Sequence, residues 1–316
     1  MVFDEARSRL IYTDQSLSEV FSISLEPESF GERASIHDNS FEDTSVPFIS
    51  LARLLLDPDG STLWVGDSGS NAENGNARNN GSIFRVDLNT NERTRLLVGP
   101  GEPEEGEVFE PEQDEVLLDL YFGTAQQHPT DDNLLVIDDS ISSLFTLDKI
   151  TGETTLISSH ILDGGVPNTD SAILNIVDIE IDTEGGRYFV GESDNSNRGA
   201  IFTVDFETGA RELFFEPGAD SLEESTQIIG GMTLDRLSDR LLLTDNENGR
   251  LLSLDLETRQ RTVISSPGLP NDVNALITPL EAIFGMSREF IYIVDATVSV
   301  VFAVDEKTGY RVIIAR

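Results

Sequence analysis

The chain has 316 residues, 58 of them acidic and 21 basic, and a formal net charge of −37. This charge excludes nucleic acid and anionic lipid as partners, because both require cationic surfaces. Without cysteine the chain has no disulfides or thiolate metal sites, and no apolar run is long enough to span a membrane. The acid surplus indicates a marine or halophilic source, where salt screens the repulsion between acids.

One pattern recurs along the chain: an apolar strand, a short turn, and a second apolar strand that ends in an acid. Regular copies occupy 2–14, 54–67, 179–192, 232–245 and 283–295. A longer copy at 120–138 has five extra residues, which we expect as an insertion in its turn at 124–132. Each copy is followed by two alternating strands around a tight turn, such as IFTVDFETGARELFF at 201–215, which indicates a β-hairpin.

Six such four-stranded units of about 50 residues predict an all-β, six-bladed β-propeller. A stacked β-solenoid is the alternative fold. We expect one domain over 1–316, and the predicted blades are 1–38, 48–99, 115–159, 175–217, 229–267 and 280–316.

The strand pattern LLLDPDGSTLWVGD at 54–67 and the VDxxTG hairpin turns resemble six-bladed propellers of the NHL, TolB-like and gluconolactonase type. The resemblance covers essentially the whole chain. It implies the fold and not an activity, because propellers carry many unrelated functions.

Long connections are predicted on one face of the propeller, the face where one blade crosses over to the next. They are 39–50, 68–81, 100–114, 160–174, 218–229 and 268–279. Connections on the opposite face are short. Because long loops on a rigid scaffold usually carry function, we expect the binding site on the crossover face, with neutral insertions as the alternative.

The residue before each inner apolar run is expected at the mouth of the central channel. These residues are Arg53, Asp119, Asp178, Gly231 and Glu281. Converging acids repel unless a cation or an arginine relieves them. We therefore predict a ligand site of Arg53, Asp119, Asp178 and Glu281. Its three acids would bind Ca²⁺ or another divalent cation, and neutralisation by Arg53 is the alternative. In blade 1 this position precedes Met1, so we expect the natural protein to continue upstream.

The resemblance to gluconolactonases implies metal ligands one residue earlier in each blade. This sequence has Ala52, Leu118, Val177, Gly230 and Leu280 there, none of them a ligand. A lactonase would therefore need a displaced site built from Asp119, Asp178 and Glu281.

Other catalytic signals are few. His160 begins a crossover connection, and with Arg53 it would be the catalytic pair of a lyase. The acids that close the second strands are interpreted as structural, because a short acid there can accept backbone N–H groups of the following turn. These acids are Asp14, Asp67, Asp138, Glu192, Asp245 and Asp295.

Two functions remain open. The first is an extracellular or periplasmic propeller that binds a protein, peptide, glycan or small molecule on its crossover face and channel mouth. The second is a divalent-metal-dependent hydrolase or lactonase with its metal at the channel mouth. The sequence does not decide whether the chain is an enzyme, and it predicts neither nucleic-acid binding nor membrane insertion.

Overall fold

The computed structural model describes residues 1–38, 47–67, 82–98, 122–128, 131–138, 143–158, 173, 176–192, 199–217, 229–268, 275–285 and 288–315. Side chains are described at all these positions except 97–98, 122–127 and 138. This part of the chain forms six four-stranded antiparallel sheets, which confirms the predicted all-β class. Within it, no helix is long and apolar enough to cross a membrane.

Each sheet is one blade and contains four consecutive strands in chain order. The strands of blades 1 to 3 are β1 Val2–Asp4, β2 Arg9–Asp14, β3 Glu19–Ser24, β4 Arg33–His37; β5 Leu51–Leu56, β6 Thr62–Asp67, β7 Ser82–Asp87, β8 Arg93–Val98; β9 Phe122–Gln127, β10 Leu134–Asp138, β11 Ser143–Leu147 and β12 Thr154–Ser158. The strands of blades 4 to 6 are β13 Ile176–Asp182, β14 Arg187–Glu192, β15 Ile201–Asp205, β16 Arg211–Phe215; β17 Ile229–Asp235, β18 Arg240–Asp245, β19 Arg250–Asp255, β20 Arg261–Ser265; β21 Pro279–Phe284, β22 Phe290–Asp295, β23 Val300–Asp305 and β24 Arg311–Ala315. Short 3-10 turns lie at Glu5–Arg7 and Arg236–Ser238.

The blades are arranged as a closed ring. The first strand of each blade is the inner strand, and the inner strands contact one another in chain order from β1 to β21. Blade 6 then packs against blade 1 in a buried cluster that joins Leu10 and Ile23 to Tyr292, Val301 and Ile314. The apolar core thus lies between blades, and the six-bladed β-propeller predicted by the repeats is confirmed.

The turns between third and fourth strands fit each blade to the one before it. In blade 4, the Asp205 carboxylate accepts the N–H of Thr208 at 2.8 Å, and Gly209 then has φ +66°. The Ser158 hydroxyl of blade 3 donates to the Gly209 carbonyl at 3.0 Å. Blade 5 has Arg259 in this left-handed conformation, at φ +58°.

The acids that close the second strands are structural where their hydrogen bonds are described. Asp67 accepts the backbone N–H groups of Ile49 at 2.7 Å and Ser50 at 2.8 Å, which ties the crossover before blade 2 to β6. Asp295 does the same before blade 6, and Asp14 and Asp245 accept N–H groups of the turns that follow them. The interpretation is confirmed for Asp14, Asp245 and Asp295, which accept N–H groups of the turn that follows, whereas the described bonds of Asp67 go to the preceding crossover and the side chain of Asp138 lies outside the description.

The face opposite the crossovers, called the short-turn face, is held together by ion pairs between blades. Asp182 ends β13, is fully buried, and pairs with Arg187 at 2.9 Å and with Arg236 of the next blade. Asp235 of blade 5 pairs in the same way with Arg288 of blade 6. These contacts fix the angle between neighbouring blades at this face.

The strand bounds place the long connections on the crossover face, as predicted. There, β8 ends at Val98 and β9 begins at Phe122, whereas on the short-turn face β7 ends at Asp87 and β8 begins at Arg93. The predicted insertion at 124–132 was wrong. Four of its nine residues are strand, because β9 continues to Gln127, and the His128 N–H donates to the Asn133 carbonyl at 2.8 Å just before β10 begins at Leu134.

Candidate functional site

The inner strands carry a β-bulge at the predicted channel-mouth position. In blade 4 the pairing register with the second strand shifts between Ile176 and Asp178. Blades 2, 5 and 6 have the same shift, directly before or at Arg53, Gly231 and Glu281. A bulge bends the strand and re-aims the adjacent side chain, which here brings the residues of this ring toward the propeller axis.

Arg53, Asp178 and Glu281 come together at the axis, and we call them the Arg53 cluster. The Nη1 atom of Arg53 lies 3.4 Å from Oε1 of Glu281, and its Nη2 atom lies 3.9 Å from Oδ2 of Asp178. Nη2 also donates to the carbonyls of Gly230 at 3.0 Å and Val177 at 3.4 Å. Because Arg53 belongs to blade 2 and its partners to blades 4, 5 and 6, its side chain spans the channel.

The two carboxylates of the cluster are held by further contacts. Asp178 is 3% exposed and accepts the backbone N–H groups of Met232 at 2.6 Å and Ile179 at 2.9 Å. Glu281 pairs with the ammonium group of Met1. Their positions are therefore set by blades 1, 4 and 5 as well as by Arg53.

Arg53 and Glu281 shift each other's pKa toward the charged form. Burial alone would raise the pKa of Glu281, but the Met1 ammonium and the Arg53 guanidinium outweigh burial and hold this pKa below its ordinary value. Burial would likewise lower the pKa of Arg53, yet Asp178 and Glu281 raise it above its ordinary value. Arg53 and Glu281 thus stabilise each other's charged form.

Gly231 takes the ring position in blade 5 because no side chain fits there. A Cβ atom at Gly231 would lie well inside contact distance of the Leu280 carbonyl and 3.2 Å from Oδ2 of Asp178. A larger residue would therefore displace the carboxylate that faces Arg53.

The pairing register between β9 and β10 changes which residue of blade 3 occupies the channel-mouth position. Val136 pairs with Ala125 and Asp138 with Phe122, so the backbone position that corresponds to Asp178 is Thr124. Asp119 lies upstream of β9, outside the described residues, and its assignment to the ring was wrong. The cause is the same as for the turn insertion: the apolar run was aligned several residues too early.

The remaining candidates fall in different places. His160 lies outside the described residues, so its pairing with Arg53 stays a prediction. Within the described part of the chain, no three or more His, Asp or Glu side chains are placed to hold a metal ion. The Arg53 guanidinium lies between Asp178 and Glu281, where a cation bound by these two carboxylates would have to lie.

Below the Arg53 cluster, the propeller axis contains a cavity of about 730 Å³. Asp178 and Glu281 line one end, and Glu5 and Asp59, both exposed on the short-turn face, line the other. Val2, Leu55 and Ile283 contribute apolar walls. The described residues thus place an axial cavity between the cluster and the short-turn face.

Sequence reasoning missed a set of buried arginines at the start of the outer strands. Each follows the hairpin turn and is buried: Arg93, Arg211, Arg261 and Arg311. The Nε of Arg211 donates to the Ser158 hydroxyl of blade 3 at 2.8 Å, and burial lowers the pKa of Arg211 to about 10. The signal was present, because arginine recurs at one position of the repeat, but its charge indicated an exposed residue.

No family model and no curated protein matches the chain. Many solved structures share its fold, and two of them are similar over most of this chain. A chain in the crystal structure of a nidogen/laminin complex is 14% identical with a TM-score of 0.64, over 98% of this chain and 93% of that one. A structural-genomics protein of unknown function from Bacteroides thetaiotaomicron is 13% identical with a TM-score of 0.61, over 93% of this chain and 66% of that one. At such identities the likeness shows the fold alone. The NHL, TolB-like or gluconolactonase type therefore stays a prediction.

Proposed function

We propose that the protein is an extracellular or periplasmic binding propeller that presents its crossover face to a protein partner. The observation that carries this proposal is the distribution of connecting chain. Tight turns and ion pairs between blades occupy the short-turn face, whereas residues that are not needed to join strands are concentrated on the crossover face. Loops of this kind on a rigid scaffold are the usual location of binding residues.

The class of partner follows from the fold neighbour and from charge. The nidogen/laminin structure is a complex of proteins, so a chain of this fold occurs in a protein–protein assembly. With a net charge of −37, the chain favours a partner with a basic surface, because complementary potentials speed association. A peptide, glycan or small molecule that binds the same face is an alternative ligand under this proposal.

A metal-dependent lactonase is the weaker alternative. Its metal would have to displace Arg53, whose guanidinium is held by two carboxylates and two backbone carbonyls of other blades. A lyase that uses Arg53 meets the same obstacle, because the donors of Arg53 are already engaged. No observation among the described residues favours either enzyme.

The test compares one change on each face. In the crossover-face variant, 68–81 is replaced by the four residues Asn246–Gly249, which join the second and third strands of blade 5. The control variant carries Ile150→Ser and Leu237→Ser, two residues of the short-turn face that are 90% and 81% exposed. Partners are selected from a displayed library of secreted protein domains, and the affinity of each purified partner is then titrated.

We expect the crossover-face variant to lose at least about tenfold in affinity, the effect of one good interfacial contact. We expect the control variant to bind within about twofold of the parent. Thermal melts verify that both variants are folded. Partners that bind the crossover-face variant normally but lose affinity for the control would refute the proposal, as would metal-dependent turnover of a lactone panel.

A further inference from the structure

We propose that one sector of the crossover face is a contact surface for a second copy of this chain. Five exposed aliphatic side chains define this sector, which we call the apolar arc: Leu17, Ile49, Ile277, Leu280 and Val298. The arc extends over blades 6, 1 and 2. Its occupant is not the basic partner of the proposed function, and the long connections that follow blades 2, 3 and 4 lie outside it.

Hydrogen bonds place the members of the arc side by side. In blade 6, the N–H groups of Ile277 and Val298 both donate to the carboxylate that closes β22, at 2.6 and 3.3 Å. Between blades 1 and 2, the Ser18 hydroxyl, next to Leu17, donates to the Ile49 carbonyl at 2.8 Å. Blades 6 and 1 are packed together, and Leu17 and Val298 occupy the same position in them, three residues after the closing acid. The two pairs therefore lie on neighbouring blades of one face.

The arc differs from the rest of the chain in charge. Its side chains belong to four short segments, which are 15–18, 47–50, 275–280 and 296–299. None of these segments contains a charged residue, although 25% of the whole chain is charged. Two acids that adjoin them are already paired inside the molecule, Asp14 with Arg33 and Glu281 with Arg53, each at 3.4 Å. The arc thus exposes apolar groups and no charge of its own.

The fold does not require apolar residues at these positions. In blade 5, Asn248 takes the place of Val298, and its N–H makes the same bond to the closing acid at 3.1 Å. Its neighbour Glu247 is exposed and charged. Because the backbone at Leu17 and Val298 is fixed by such bonds, the apolar side chains are held in place before a partner arrives, which lowers the entropy cost of binding.

The absence of charge favours a copy of the same chain as the occupant. A basic partner would be bound through acids, of which this chain has 58, and not through a surface that lacks them. Two copies that each carry a net charge of −37 repel wherever their acids face each other, so they approach closely only through an uncharged surface. We expect a twofold axis between the copies, because the same surface then pairs with itself.

The test measures the oligomeric state of the full chain by sedimentation velocity over a hundredfold range of protein concentration. The solutions contain about 0.15 M or about 1 M sodium chloride, which screen charge to different extents. Leu17→Asp and Val298→Asp each place an acid in the arc. Leu213→Asp is the matched control, because Leu213 is an exposed leucine on the outer strand β16, away from the arc.

We expect a reversible dimer whose Kd falls as salt screens the remaining acids. Leu17→Asp and Val298→Asp should each raise this Kd at least about tenfold, because the acid enters a twofold interface twice, and Leu213→Asp should leave it within about twofold. Thermal melts verify that the variants are folded, and the two arc variants lie in different blades, so either one can decide the test. A chain that stays monomeric in both solutions would overturn the proposal, as would a dimer or larger species that the arc variants leave unchanged.

Discussion

Arg53 is the residue on which the channel mouth depends. Its planar fork of donors reaches two carboxylates and two backbone carbonyls that belong to three other blades. A lysine has a single ammonium group and cannot make this set of contacts in fixed directions. The identity of the side chain is therefore part of the architecture, and its charge helps to hold the pKa of Glu281 below its ordinary value.

Replacing Arg53 should destabilise the fold strongly. Arg53→Met leaves Asp178 and Glu281 without their shared partner in a largely buried site, and loss of one member of such a pair costs about 3 kcal/mol. Arg85→Met is the control, because Arg85 is an exposed arginine of the same blade, and it should cost less than about 0.5 kcal/mol. Urea unfolding of the three proteins measures the difference.

A second substitution tests the stated cause. If the cost of Arg53→Met comes from an uncompensated carboxylate, adding Asp178→Asn should recover part of the lost stability. A double variant that loses the full sum of both single costs would contradict this account, as would an Arg53→Met protein that is as stable as Arg85→Met.

At the scale of the strand and turn, two glycines of blade 4 allow the cost of backbone strain to be distinguished from the cost of a clash between blades. Gly186 and Gly209 have φ of +63° and +66°, so an alanine at either position adopts an unfavourable left-handed conformation. A Cβ atom at Gly186 would meet nothing within 4 Å, whereas one at Gly209 would collide with the Ile157 carbonyl of blade 3.

We expect Gly186→Ala to cost about 1 kcal/mol of unfolding free energy from strain alone. Gly209→Ala should cost clearly more, about 2–4 kcal/mol, because blade 3 must also move. Chemical denaturation measures both. Equal costs would mean that the turn of blade 4 is not closely packed against blade 3.

The repeats allowed the fold to be predicted because each blade obeys the same simple rules. Alternating apolar strands, turn glycines and closing acids are local signals, and five copies have the same spacing. The predicted alignment of blade 3 was wrong for a local reason as well. Its inner strand includes Gly123, Gln126 and Gln127, so the apolar alternation that marks the other inner strands is weak there.

Part of the site could be predicted and part could not. Arg53, Asp178 and Glu281 were found because they replace small residues at one repeat position. The bulge that directs them to the axis could not be recognised in the sequence, because it changes the pairing of the strands and not their residue composition. The axial cavity likewise depends on side chains from five blades whose separation in space the sequence does not encode locally.

At the scale of the whole molecule, positive charge is used mainly inside and between blades. Arg236 and Arg288 join neighbouring blades on the short-turn face, Arg211 and Arg311 join them near the outer strands, and Arg53 joins them at the axis. The large acid surplus therefore remains on the surface and in the channel. Self-repulsion among these acids opposes the compact state, and dissolved ions screen it.

This distribution of charge predicts how the protein responds to ions. Because Arg53 already neutralises Asp178 and Glu281, we expect the melting temperature to rise with ionic strength and to be the same in calcium chloride and in sodium chloride of equal ionic strength. EDTA should have no effect. A specific calcium site would instead add about 2.7 kcal/mol at a hundredfold excess of calcium over its Kd. Thermal melts in the three solutions measure the difference. An increase at micromolar calcium that sodium does not reproduce would contradict the expectation and favour the metal-dependent enzyme over the binding propeller.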